Sequence, residues 1–452
     1  VGELGFWWRS IGGPPPPRDP LPGPVEADVA IVGAGYTGLW TAYYLKRAQP
    51  SLEVVVLEAE FAGFGASGRN GGWVAGSFSG SPRVYGREGY EALQRAMFAT
   101  VAEIESVLSA EGIDADFVAG GQLSVALDSA QLVRLREHVA AARASGADES
   151  DLRELSPAEL AARVRVAGAR GASLLTHVAR AHPAKLVTGL AAAVERLGVK
   201  IYERTPVTEV RPREARTARG PVRARWVVRA TEGYTARLPG LRRLLVPLNS
   251  SMIITEPLPA DAWEEIGWQG AETMDDVANV YVYLQRTADG RIAIGGRGRP
   301  YRLNSATDGW GETPPSTIAS LHAKLLAMFP AVARTPLDHA WSGVLGVPRD
   351  WCASVDADAT SGLAWAGGYV GLGVAASNLA ARMLCDLLLS RDSQLLRLPW
   401  VGRRPPRWEP EPLRWAEIHS VYALYRAADR LEARSGRPSL LARAVDFASR
   451  RT

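Results

Sequence analysis

Gly33, Gly35 and Gly38 stand as G-x-G-x-x-G within DVAIVGAGYTGLW, and Glu58 follows twenty residues after the last of them. The pattern suits a dinucleotide. Gly33 permits a tight turn, Gly35 lets a pyrophosphate approach the backbone, and Gly38 lets a helix pack closely on a strand. A helix opening at Tyr36 and Thr37 offers free N–H groups and a partial positive charge to that pyrophosphate. Glu58 can accept hydrogen bonds from a ribose diol, and its charge repels a 2′-phosphate. The motif alone does not separate NAD from FAD. The segment GFGASGRNGGW, Gly63 to Trp73, bears on that choice with five glycines, one arginine and one asparagine. Glycines permit close backbone approach, and arginine suits a phosphate or an electron-rich ring edge. The other reading is a surface loop whose glycines only serve turns.

These residues need a scaffold. Val25 to Val32 reads as an apolar strand, Tyr36 to Ala48 as a helix, and Glu53 to Leu57 as a second strand, a βαβ start that implies a parallel sheet. Helices are expected over Tyr90 to Ala110 and Ser129 to Ser145. Ser156, Pro157 and Glu159 form a capping-box start, and another helix begins at Pro183 and stops near Gly198. Gly120 to Leu127, VKIYE, VTEV and Val222 to Thr231 read as strands. Asn249 to Glu256, Asn279 to Arg286 and Gly290 to Gly296 look like antiparallel strands, and the alternation in VYVYL puts Tyr281 and Tyr283 on one face. A helix is expected over Pro315 to Met328. LAWAG then leads as a strand into a helix from about Val374 to Leu389. Two arginine-rich amphipathic helices finish the chain. At the other end an extended arm carries Pro14 to Pro17, with Phe6, Trp7 and Trp8 packing back onto the body.

Three glycine-rich motifs in this order resemble the D-amino-acid-oxidase-like FAD-dependent oxidoreductases, the family of glycine oxidase, sarcosine oxidase and γ-glutamylputrescine oxidoreductase. GASGRNGGWV, RAHPAKLVTGLAAAVERLGVKIYERTPVTEV, VVRATEGYT and WAGGYVGLGVAASNLAARML carry the likeness. It implies FAD, held by Gly33, Gly35, Tyr36, Thr37, Gly38, Glu58 and Ala59 of the first motif. It extends the contacts to Ser67, Arg69, Asn70, Gly71 and Gly72, to Val207 by the adenine, and to Ala230 and Thr231 at a bend. Gly368, Tyr369, Gly371, Leu372, Gly373 and Val374 would line the flavin pyrimidine edge. Gly343 stands near the position of a cysteine that binds FAD covalently in some relatives, so non-covalent FAD is expected. A lysine that assists oxygen in sarcosine oxidase has no counterpart in GRIAIGG, where Ala293 is the nearest candidate.

The fold implied is a Rossmann-type α/β FAD domain with a parallel sheet, plus a substrate domain with a mainly antiparallel sheet. Residues 1–85, 170–245 and 340–452 would form the first, and 86–169 and 246–339 the second. The implied reaction is oxidation of a C–N bond in an amine or amino acid. Hydride passes to flavin N5, the imine hydrolyses, and O2 reoxidises the flavin to give H2O2. Tyr281, Tyr283, Trp341, Trp351 and Leu372 are candidate pocket walls, although each aromatic also suits ordinary packing. Arg286 and Arg297 are candidates for a substrate carboxylate, and His182 reads as a helix-entry residue rather than a base. A catalytic acid or base is not assigned. A dehydrogenase using another electron acceptor stays open, as does a flavin-bearing assembly subunit docking through Leu413 to Arg451. A plain NAD dehydrogenase fits least well.

Composition narrows the rest. The 452 residues are 47% hydrophobic and 22% charged, with a net charge of +4. That length suits two or three domains. Arginines are interspersed with nearly as many carboxylates, so no nucleic-acid stripe is expected. The six histidines show no HExxH and the two cysteines no CxxC, so no metal site is expected. Ala359 to Ala381 lacks charge but breaks at GGYVGLG, so it reads as strand, turn and helix rather than a membrane span. No signal peptide is read, and a cytoplasmic location is expected.

Overall fold

The computed structural model describes residues 4–307 and 309–449. Residues 1–3 of the expected arm, and 450 and 451 of the expected docking segment, lie outside them.

Val25–Val32 and Val54–Leu57 pair in parallel at the centre of the first sheet. Val54–Leu57 is buried at every position, and so is the second half of Val25–Val32. Runs of this kind suit a sheet covered on both faces. The sheet order is Ser354–Asp358, Leu363–Gly367, Gly220–Arg229, Val25–Val32, Val54–Leu57, Lys200–Tyr202. Along this order the neighbours are parallel except the first strand, which runs antiparallel, and Glu214–Thr217 pairs antiparallel with both Gly220–Arg229 and Val207–Arg211. The Tyr36–Ala48 and Gly373–Leu388 helices pack against each other and bury apolar faces over this sheet.

The second sheet has eight strands, in the order Leu337–Val347, Val246–Thr255, Ile292–Gly296, Val282–Arg286, Thr273–Asp276, Gln122–Ala126, Gly171–Leu175, Leu152–Leu155. Only the Thr273–Asp276 and Gln122–Ala126 pair is parallel. Two of these strands sit differently from the expected division. Gly171–Leu175, expected within 170–245 of the first domain, pairs antiparallel with Gln122–Ala126. Leu337–Val347, which straddles the expected boundary at 340, pairs with Val246–Thr255. Periodicity reports which face of a strand is buried but not which partner it finds.

The amino-terminal arm is not wholly extended. Phe6–Ser10 forms a short helix whose three aromatic residues are buried. Trp7 meets Trp341 edge-on, with ring centroids 5.9 Å apart, and Trp8 meets Phe61 in the same manner at 5.0 Å. Burial of three large aromatics is worth several kcal/mol and offsets the cost of ordering the segment. Beyond the prolines, Arg18 ties the arm down through Glu203 at 2.8 Å and Glu195 at 2.6 Å.

Candidate functional site

The carboxyl ends of the central parallel strands open on a cavity of ≈ 250 Å³. Gly33 ends the first strand at φ +107°, and a Cβ there would stand 2.6 Å from the Ala230 carbonyl oxygen. Only a residue without a side chain lets the two strand ends close so tightly. At Gly38 an added Cβ would meet the Gly33 carbonyl oxygen at 2.0 Å. That glycine serves helix–strand contact and does not line the cavity.

Two helices begin on this cavity. Tyr36–Ala48 has Gly35 as its N-cap, and Gly373–Leu388 has Leu372; neither N-cap residue caps its helix with its own side chain. The Ser67 hydroxyl accepts the Tyr36 N–H at 2.9 Å. Gly35, Tyr36 and Thr37 from one helix start, and Gly373, Val374 and Ser377 from the other, line the same space. The starts are joined by the Thr37 and Tyr369 hydroxyls, 3.1 Å apart. Two helix N-termini converging on one cavity favour a ligand with two electron-rich regions. Glu58 stands on the opposite wall and accepts the N–H groups of Ala34 at 2.8 Å and Glu60 at 3.0 Å. Burial dominates its environment and pushes its carboxyl up to about 7. Ala59, Val207, Ala230 and Thr231 complete the wall.

The glycine loop separates this cavity from a second one of ≈ 180 Å³, and Ala66, Asn70, Leu345, Gly371 and Val374 line both. Arg69, Gly71, Gly343 and Leu372 line only the second, while Gly72 and Gly368 line neither. The Asn70 amide is committed to the loop itself. Its nitrogen donates to the Ala66 and Ser67 carbonyls, and its oxygen accepts the Gly72 N–H. Arg69 is buried, with its guanidinium 4.4 Å above the Phe64 ring.

Of the expected substrate-side residues, Tyr281, Tyr283 and Leu372 line the second cavity. The Tyr283 hydroxyl lies 2.8 Å from the Ser250 hydroxyl, and burial keeps its phenol neutral. Its ring occupies space left by Gly295, where a Cβ would stand 2.2 Å away. Trp341 is elsewhere. It is fully buried behind the loop and donates its indole N–H to the Arg69 carbonyl at 2.9 Å. Trp7 donates likewise to the next carbonyl, that of Asn70, at 2.8 Å. Trp351 packs with Val246, Tyr301 and Trp408, away from both cavities. Arg297 lines the second cavity, whereas Arg286 lies over the Trp263 ring. His182 caps the Pro183–Arg196 helix through the Lys185 N–H, and burial lowers its pKa to about 4.

Two acidic residues enter the site without having been expected. Glu232 lines the first cavity and accepts the N–H groups of Gly368 at 3.2 Å and Tyr369 at 3.1 Å. Burial raises its pKa to about 7, opposed by those two bonds and by Arg229. Its place directly after the Ala230–Thr231 bend was the available signal. Asp275 lines the second cavity; it lies in a stretch that carries no recognisable motif.

No group of three or more metal-holding side chains occurs among the described residues. Among the same residues no helix is long and apolar enough to cross a membrane.

The sequence model of the family described as FAD dependent oxidoreductase matches residues 28–387. The chain is 32% identical over 384 residues to gamma-glutamylputrescine oxidoreductase of Escherichia coli (strain K12), covering 82% of this chain and 86% of that relative. Its fold is similar to glycine oxidase from Geobacillus kaustophilus, with a TM-score of 0.72 at 20% identity over 84% of this chain and 99% of that one. It is also similar to L-proline dehydrogenase from P. horikoshii, with a TM-score of 0.68 at 19% identity over 82% of this chain and 96% of that one.

Proposed function

The chain belongs to the FAD dependent oxidoreductase family, and from that premise we propose that it oxidises the C–N bond of an amine or amino acid. The observation that carries this is the junction of the two cavities, where the space at the two helix starts meets a smaller one lined by Tyr283, Asp275 and Arg297 across five shared residues. FAD, when bound, supplies a two-electron acceptor for hydride from the carbon that bears the amine.

The residues present fit that group. The start of Tyr36–Ala48 suits the pyrophosphate, Glu58 the ribose, Val207 the adenine side, and the start of Gly373–Leu388 the pyrimidine edge. Retention is non-covalent, since Gly343 stands where a linking cysteine would be needed and neither Cys352 nor Cys385 lines either cavity. Tyr283 and Leu372 wall the inner space and exclude water from the reacting carbon. Arg297 supplies a cation for a substrate carboxylate. We assign residues 1–85, 170–245 and 340–452 to the cofactor domain and 86–169 and 246–339 to the substrate domain, with the two strand exceptions above.

The test is an anaerobic panel of primary amines, secondary amines and amino acids added to the holoenzyme. At least one of them bleaches the visible flavin band; if none does, this reading is wrong. Admission of air then separates two forms of it. Hydrogen peroxide equal to product identifies an oxidase. Its absence, with turnover restored by an artificial acceptor, identifies a dehydrogenase. The second form rests on the lack of any lysine in the linings of both cavities.

Glu58 also gives FAD binding a defined pH dependence. In the apoprotein its carboxyl titrates near 7, above the usual 4.5, because burial disfavours the charge. Ribose hydroxyls donate to the charged form and so favour it. FAD affinity of the apoprotein therefore rises with pH up to about 7 and levels off above, by at most about tenfold per pH unit. Fluorescence titration of FAD from acid to neutral pH reads the slope, and Glu58→Gln flattens it. A parent profile that is flat, or that falls with pH, contradicts the assignment.

A further inference from the structure

On the second sheet Gly295, Tyr283, Asp275 and Ser124 lie directly opposite one another on four neighbouring strands. Residues paired in this way share a face. Tyr283 and Asp275 both line the inner cavity, so this face is the one turned to the site. Asp275 Oδ2 accepts from Gln122 Nε2 at 3.3 Å. Its Oδ1 is shielded from bulk solvent, and the Ser124 hydroxyl of the neighbouring strand is the polar group that faces the carboxyl there. A shielded carboxylate without a countercharge is costly. The adjacent Asp276 differs. It points the other way, into the core, where Lys324 Nζ at 2.7 Å and the Val282 N–H at 2.8 Å neutralise it. Asp275 has no cation within ion-pair distance among the described residues, although Arg297 borders the same cavity and turns to the Asn249 carbonyl at 3.4 Å.

The position of Asp275 along the cavity is equally informative. At one end the inner cavity meets the cofactor space at Gly371, Val374 and the glycine loop. It also meets a larger cavity of ≈ 1000 Å³, and the residues common to those two are Ser77, Gln122, Asp275 and Tyr281. Asp275 thus stands at the neck between these two cavities and is not among the residues shared with the cofactor space.

Resting on the amine-oxidising function proposed above, we infer that Asp275 is a subsite for a second, cationic nitrogen of the substrate. The reacting nitrogen must be neutral to release hydride from its carbon. A nitrogen paired with a carboxylate keeps its charge. One molecule satisfies both ends when an amine at the cofactor end is linked by a short aliphatic chain to an ammonium at the neck. The substrate class is therefore a diamine or a longer polyamine-like compound. Burial pushes the Asp275 carboxyl up to about 7, opposed by Ser124 and Gln122 and reinforced by Asp276. An arriving ammonium reverses that cost by holding the carboxylate ionised.

The test compares 1,5-diaminopentane with n-hexylamine, which has a methyl group in place of one ammonium. Binding to the anaerobic holoenzyme is followed by calorimetry and by perturbation of the flavin spectrum. The parent prefers the diamine by about 30-fold, the scale of a charge-assisted hydrogen bond. Asp275→Asn abolishes the preference at unchanged flavin content, and Asp275→Glu retains most of it. An undiminished preference in D275N overturns the inference. If D275N purifies without flavin, the parent decides alone, and equal binding of the two probes overturns it. A preference lost in D275N while no amine bleaches the flavin leaves the ammonium subsite standing and removes the oxidation instead.

Discussion

Gly33→Val purifies without flavin. The native φ of +107° lies outside the region that a β-branched residue tolerates, and the new Cβ would overlap the Ala230 carbonyl oxygen. Strained backbone of this kind costs about 1–3 kcal/mol before the overlap is counted. Relief requires the ends of Val25–Val32 and Gly220–Arg229 to part. Those ends form the floor of the cofactor cavity, so the loss falls on binding more than on folding. Affinity of the apoprotein for FAD drops by at least about 100-fold, or about 3 kcal/mol. The flavin-to-protein ratio after purification, and reconstitution of apoprotein with FAD, both report it. A yellow G33V protein with one flavin per chain would show that the close approach at this turn is dispensable.

Glu232→Ala comes second, through a different mechanism. It removes the acceptor of the Gly368 and Tyr369 N–H groups and a charge close to half-buried Arg229, which keeps its bond to the Thr235 hydroxyl. Leaving two backbone N–H groups without their acceptor costs about 1–3 kcal/mol, which lowers the unfolding midpoint by a few degrees in a chain of this size. The turn that these bonds hold leads straight into Gly371 and the start of the Gly373–Leu388 helix. Flavin content therefore falls along with stability. Glu232→Gln retains one acceptor, so its losses are smaller and its pH response differs. In the parent the folded carboxyl titrates near 7 against an ordinary 4.5. The folded protein binds more protons than the unfolded chain across that window, so this group's contribution to apoprotein stability falls as pH rises from 4.5 through 7. Glutamine removes that part of the slope. Thermal melts of apoprotein at several pH values distinguish the three proteins, and a parent-like melt with full flavin in E232A contradicts the role.

Much of the cofactor side was legible because its determinants are local. Strand, turn, helix and Glu58 fall within about thirty residues, and each glycine acts on backbone a few positions away. The capping box at Ser156 formed for the same reason. The substrate side was less legible because it depends on register across a sheet. Asp275 reaches the cavity only because Thr273–Asp276 pairs with Val282–Arg286 on one side and Gln122–Ala126 on the other. Trp341 looked like a pocket wall from its type and vicinity. The register that sets it opposite Met252 places it in the core, with its N–H as the useful part. Arg69 and Asn70, expected as flavin contacts, turn much of their polarity to the protein. Asn70 in particular shapes the loop whose backbone borders both cavities.

The two indoles on consecutive carbonyls of that loop have a consequence for the order of events during synthesis. Trp341 leaves the ribosome more than three hundred residues after Trp7. Until it does, the Arg69 carbonyl lacks its donor, and Leu337–Val347 is missing from the edge of its sheet. The Gly373–Leu388 helix, which supplies the second electropositive end, is later still. A nascent chain that already contains the complete G-x-G-x-x-G unit is thus not yet a flavoprotein. Capture of the cofactor waits until the Gly373–Leu388 helix has been made, and the yellow colour marks chains translated at least that far.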